Sequence, residues 1–116
     1  MSTQYLNNGT FLANSAITAF RLVTISSNRG VGLCATAGVV DGVAQIDAAS
    51  GDYVTVQFLG GNSAKATILA GPVTVGDTIF AVANGLVAIT GTVTVGKSLS
   101  TASSANSVIE FLPKNL

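Results

Sequence analysis

The sequence predicts an all-β protein: one small domain, a barrel or sandwich built from two tandem pseudo-repeats, with an extended N-terminal arm. Three observations lead there. Branched residues alternate with polar ones at the two-residue period of a strand, most clearly in YVTVQFL at 53–59, where Val54, Val56 and Phe58 share one face. Gly, Asn, Asp and Ser cut the chain into short segments, and no segment keeps apolar residues at helical spacing for three turns. Finally, the second half of the chain can be laid over the first.

The elements follow in order. Residues 1–15, MSTQYLNNGTFLANS, are polar and Asn-rich and fall outside the repeat. They are expected to form an arm, leaving 16–116 as the β domain. Tyr5, Leu6, Phe11 and Leu12 give the arm apolar side chains with which to add to a partner's sheet edge. FRLVTI at 20–25 reads as a strand, and Asn28–Gly30 turns it toward VGLCA in a hairpin slightly longer than the tightest kind. A turn centred on Gly42 and an Ala/Ser loop lead to the strand at 53–59. Gly60–Gly71 joins the halves. Strands are then expected at Ala66–Leu69, Thr78–Val82, Leu86–Ile89 and Val108–Leu112, with Asn84-Gly85 as the strongest hairpin signal in the chain.

The repeat is read from two long alignments. AITAFRLVTISSNRGVGLCAT at 16–36 lies over PVTVGDTIFAVANGLVAIT at 72–90, which sets Ile17 on Val73 and Asn28–Gly30 on Asn84-Gly85. VVDGVAQIDAASGDYVTVQFL at 39–59 lies over 92–112, which sets Gly42 on Gly96, Ala48 on Ala102, and Val-Thr-Val-Gln-Phe on Ser-Val-Ile-Glu-Phe. The offset stays at about 53 to 56 residues. The two VTVG motifs, at 73–76 and 93–96, are therefore not counterparts: one opens the second unit and the other lies in its middle. Pseudo-repeats at 16–59 and 72–112 also disfavour a solenoid of twenty-residue rungs, which needs a sustained period and terminal caps.

Composition narrows the function. Charged residues are 9% of the chain, against about 25% in an ordinary soluble domain. Hydrophobic residues are 48%, aromatics only 6%, and Trp is absent. A chain so poor in charge is expected to have much of its surface covered by partners. Net charge is +0 with no basic stripe, which removes the footprint of a nucleic-acid binder and of a basic membrane-surface helix. No apolar run is long enough to span a bilayer, and the N-terminus lacks the basic head and apolar stretch of a secretory signal. A lone cysteine, Cys34, forms no internal disulfide framework and reads as a buried, inert thiol.

Catalytic chemistry finds little to work with. There is no His, which removes the commonest general base, the commonest metal ligand and every Ser-His or Cys-His system. Of the carboxylates Asp41, Asp47, Asp52, Asp77 and Glu110, three sit beside Gly, where Asp serves turns. Gly30–Ala35 fits G-x-G-x-x-A, with Asp52 about twenty residues further on, but a dinucleotide site needs a helix where a strand is expected. Asn8-Gly9-Thr10 is a glycosylation sequon, without meaning unless the chain is secreted. No enzyme activity, cofactor or metal is expected.

AITAFRLVTI, GVAQIDAASGDYVTVQFLGG, VTVGDTIFAVANGLV and VGKSLSTASS together resemble the capsid cement, or head decoration, proteins of tailed bacteriophages, over roughly residues 16–112. Two positions depart from the pattern: Phe20 stands where a small residue is common, and Asn106 replaces Gly-Asp. The resemblance implies a non-enzymatic virion protein on the outer surface of the head. It implies a homotrimer that bridges major capsid protein subunits, with no nucleic-acid or membrane partner. A carbohydrate-binding or host-adhesion β module, a phage tail component and an enzyme are the competing readings.

Overall fold

A computed structural model describes residues 8–27, 29–35, 39–59 and 63–114. Among the described residues ten strands carry the fold. The first five are β1 (Asn8–Ala13), β2 (Leu22–Ser27), β3 (Gly30–Leu33), β4 (Gly42–Ala44) and β5 (Tyr53–Phe58). The second five are β6 (Ala64–Thr67), β7 (Thr78–Ala81), β8 (Val87–Ala88), β9 (Thr94–Ser98) and β10 (Val108–Pro113). Among the described residues the helical element is a single 3-10 turn, Ala83–Gly85.

The two units pair their strands in the same order. In the first, β5 joins β1 and β4, β4 joins β2, and β2 joins β3, all antiparallel. In the second, β10 joins β6 and β9, β9 joins β7, and β7 joins β8 in the same sense. Outside the strands, Ile17 and Ala48 exchange both backbone hydrogen bonds, and so do Val73 and Ala102. The repeat is thus a property of the fold and not only of the letters.

Four expectations need correction. Residues 8–13 are not part of an arm. They form β1, paired with Tyr53–Gln57 on one side and parallel to β3 through Leu12–Gly30 and Ala13–Val31 on the other, which closes the first unit as a barrel. The units therefore begin at β1 and β6, and β6 lies within the expected joiner Gly60–Gly71, slightly ahead of the strand expected at 66–69. Gly42 and Gly96 lie on strands β4 and β9, not in turns. Finally, the last strands align two residues away from the expected register. With Gly42 on Gly96, Val56 pairs beside β4 as Phe111 does beside β9, and Phe58 corresponds to Pro113.

That register exposes an exchange of bulk inside the units. The first barrel is filled by Phe11, Ala13, Ile17, Val23, Val31, Ala44, Val54 and Val56. At the positions of Phe11 and Val56 the second unit has Ala66 and Phe111. The large ring moves from the first strand to the last, so each unit keeps one of the two rings at these paired positions.

The units differ at one seam. In the first, Leu12 N–H donates to the Arg29 carbonyl at 2.6 Å, and β1 lies along β3. In the second, the corresponding Thr67 gives its N–H and its hydroxyl to the Phe20 carbonyl of the first unit, at 2.9 and 3.0 Å. The parallel bridge Ile68–Val87, with the Leu69 N–H donating to the Val87 carbonyl, then links the end of β6 to β8. The 3-10 turn docks beside this seam: Gly85 N–H donates to the Cys34 carbonyl at 2.8 Å, and the Arg21 guanidinium to the Asn84 carbonyl at 3.2 Å. Leu22, Cys34 and Val43 of the first unit join the buried cluster of the second, with Val40 and Leu59 packed against it. Burying these apolar groups joins the units into one cooperative body.

Candidate functional site

The loops are built for rigidity. Asp47 Oδ1 accepts the Ala19 N–H at 2.7 Å, Asp41 Oδ2 the Ile25 N–H at 2.8 Å, and Asp77 Oδ2 the Thr74 N–H at 2.9 Å. Glu110 Oε2 accepts the Ser63 hydroxyl at 2.8 Å. These four carboxylates are occupied with holding turns and strand ends. Among the described residues no group of three His, Cys, Asp or Glu could hold a metal.

Both departures from the family pattern fall at left-handed backbone. Phe20 has φ 64°, and its counterpart Gly76 has φ 93°. Asn106 has φ 66°, where Gly51 has φ 91°. Asn tolerates this region, whereas Phe is an outlier there. The Phe20 carbonyl is the acceptor for Thr67, and Lys65 Nζ lies 5.6 Å from the Phe20 ring centroid, so contacts between the units hold the strained residue in place.

Cys34 is fully buried. Burial pushes its pKa above the ordinary 9.0; a hydrogen bond with Thr24 opposes the rise, and the charge of Asp41 adds to it. The thiol is neutral where the unfolded chain would already ionise, so its contribution to stability is complete below pH 9.0 and is lost as pH rises through the folded value. A thiol reagent at pH 8 is expected to label Cys34 only as the protein unfolds, with a rate that tracks the denaturation curve. Rapid labelling of the native protein would contradict this. Gly30–Ala35 forms β3 and the residues after it, and no helix opens there, so the glycine pattern makes no dinucleotide cradle.

What the structure offers instead is surface. Of the four arm residues singled out in the sequence, Phe11 is buried in the barrel with the Arg29 guanidinium 4.8 Å from its ring centroid. Leu12, 36% exposed, points outward, opposite Tyr53, which is 71% exposed. Tyr5 and Leu6 lie outside the described residues. On the second unit, Val108, Leu112 and Leu99 are exposed around β10. Beside them lies an open groove of about 480 Å³ lined by Thr78, Lys97, Leu112 and Lys114 among others. Strands with apolar residues on both faces were the available signal: Tyr53, Val108 and Leu112 all alternate with core residues.

A rigid all-β body with outward apolar side chains, few charges and no catalytic cluster among its described residues defines a structural, interaction-bearing module. The chain belongs to the phage cement protein family, whose model matches residues 4–112. It is a capsid-associated structural protein of the phage virion, on the exterior of the head. In fold it is similar to the N base of head fiber gp8.5 of bacteriophage phi29, with a TM-score of 0.79 and 20% identity over 92% of each chain. No curated protein matches it.

Proposed function

We propose that the protein binds assembled heads as a homotrimer and bridges neighbouring major capsid protein subunits against the pressure of packaged DNA, without catalysing a reaction. Family membership across nearly the whole chain carries this reading. The surface supports it. Leu12, Tyr53, Val108 and Leu112 are outward apolar residues on rigid strands, the arrangement that suits repeated contacts over a lattice. A sugar-binding module is less well served, because it needs an aromatic platform. Among the described aromatics Tyr53 is exposed, whereas Phe20, Phe58 and Phe80 are partly buried and Phe11 and Phe111 are in the core.

The test adds purified protein to heads that lack it. Binding is expected to saturate at a fixed number of copies per head, and the temperature at which DNA escapes is expected to rise. Binding to N favours N by mass action, so the gain grows with free protein above the dissociation constant. Heads that bind nothing, or that release DNA at the same temperature when saturated, would defeat the proposal.

A further inference from the structure

The face on which the second unit packs is made by Leu22, Val40, Val43 and Leu59 of the first unit. Strand register places Thr78, Thr94, Lys97 and Lys114 at the counterpart positions of the second unit. Those residues, with Leu112 and Pro113, line the groove described above. The second unit therefore carries its own version of the docking face. Among the described residues of one chain it stays open: Leu112 is 48% exposed, and Lys97 and Lys114 are exposed.

We propose that this groove receives the first unit of a second copy of the chain, head to tail, where the second unit sits on the first within one chain. The inference rests on the homotrimer proposed above and names the surfaces that build it. The internal interface shows that this fold docks on itself through this face. The change in residues fits the change in circumstance. Leu22 and Val43 are buried in the folded chain and Leu59 is partly buried, whereas Thr78, Lys97 and Lys114 must keep a free subunit soluble. Leu112, Pro113 and the lysine stems leave an apolar floor under polar heads.

The opposing surface is also marked. The second unit leads with Thr67, and its counterpart on the first unit is the exposed Leu12. In the counterpart of the docking 3-10 turn, Arg29 is bonded to its own barrel. There the Arg29 guanidinium donates to the Thr10 carbonyl at 2.5 Å, and the Arg29 carbonyl accepts from Leu12. The contact between copies is thus led by the outer face of β1 rather than by a turn. Each copy offers one groove and one Leu12 face, so the contact is heterologous, and three such contacts close the proposed trimer into a ring.

Sedimentation velocity on the full chain tests this with Leu12→Asp, Leu112→Asp and Lys97→Glu. The wild type is expected to sediment as a trimer. Each variant is expected to dissociate at least tenfold more readily, with an unchanged β spectrum and a melting temperature lowered only by the loss of association. A mixture of Leu12→Asp with Leu112→Asp is expected to form a one-to-one dimer, because one good face meets one good groove. Lys97→Glu, at an exposed site, guards against a variant that fails merely by misfolding. Wild-type assembly in all three variants, or two single variants that never combine, overturns the inference. A monomeric wild type overturns it as well, while head binding, measured separately by co-pelleting, decides the bridging role on its own.

Discussion

A chain that lacks residues 1–15 is expected to lose its folded first unit, with a collapse of the β spectrum and no cooperative melting transition. The deletion removes β1, which holds β5 through the register Asn8–Gln57 to Leu12–Tyr53 and holds β3 in parallel. It takes Phe11 and Ala13 out of an eight-residue core. Truncating one buried Phe to Ala costs about 3–5 kcal/mol, and a whole domain of this kind is stable by only about 5–15 kcal/mol. The deletion also leaves the facing edges of β3 and β5 open, which invites aggregation. The damage should not stay local, since Leu22, Cys34 and Val43 on the outside of this barrel belong to the core of the second unit. A chain that starts at Asn8 keeps every described strand and is the control. It is expected to melt within a few degrees of the full chain. Head binding by that shorter chain then tests residues 1–7, Tyr5 and Leu6 among them. A tenfold loss, about 1.4 kcal/mol, would assign them to the partner, and equal binding would remove them from the interface.

The repeat was legible because its markers are matters of backbone. Gly42 on Gly96, Ala48 on Ala102 and Ile17 on Val73 survive as structural counterparts because each sits where the strands or loops of a unit meet closely. The opening strands β1 and β6 were not seen as counterparts, since NGTFLA and AKAT share no letters at matched positions beyond their alternation of burial. The same exchange of bulk that preserves the core, Phe11 with Val56 against Ala66 with Phe111, hides the correspondence from the sequence. It also explains the register error in the closing strands. Matching Phe58 to Phe111 by letter sets a ring packed beside the first core against one at the centre of the second. The groove was equally hidden, because it is defined by what covers its counterpart, and only the fold shows that Val43 is covered where Lys97 is free.

Replacing Gly42 or Gly96 by Ala is expected to destabilise the protein by about 3 kcal/mol in each case, at the upper end of the usual cost of overpacking. A Cβ on Gly42 would lie 2.6 Å from the Gln57 carbonyl oxygen and 2.6 Å from Val56 Cγ1. A Cβ on Gly96 would meet the Leu112 carbonyl oxygen, and Leu112 is the counterpart of Gln57. The repeat has thus kept one glycine for one steric reason in both units. Neither neighbour can yield cheaply. Each carbonyl belongs to a closing strand with partners on both sides, β5 between β1 and β4, and β10 between β6 and β9. For a chain of this size, 3 kcal/mol corresponds to a fall in melting temperature of roughly 10 °C or more. Two other glycines separate this cause from backbone conformation. Gly51 has φ +91° and open space around its missing Cβ, so Gly51→Ala should cost about 1 kcal/mol through the left-handed backbone alone. Gly32 has open space and no positive φ, so Gly32→Ala should be neutral or slightly stabilising. Thermal melts of the four variants should therefore rank Gly42 and Gly96 together as the most damaging, Gly51 next and Gly32 last. If Gly96→Ala melts with the wild type, β9 and β10 do not approach each other as closely as this register requires, and the shared steric role of the two glycines is lost with it.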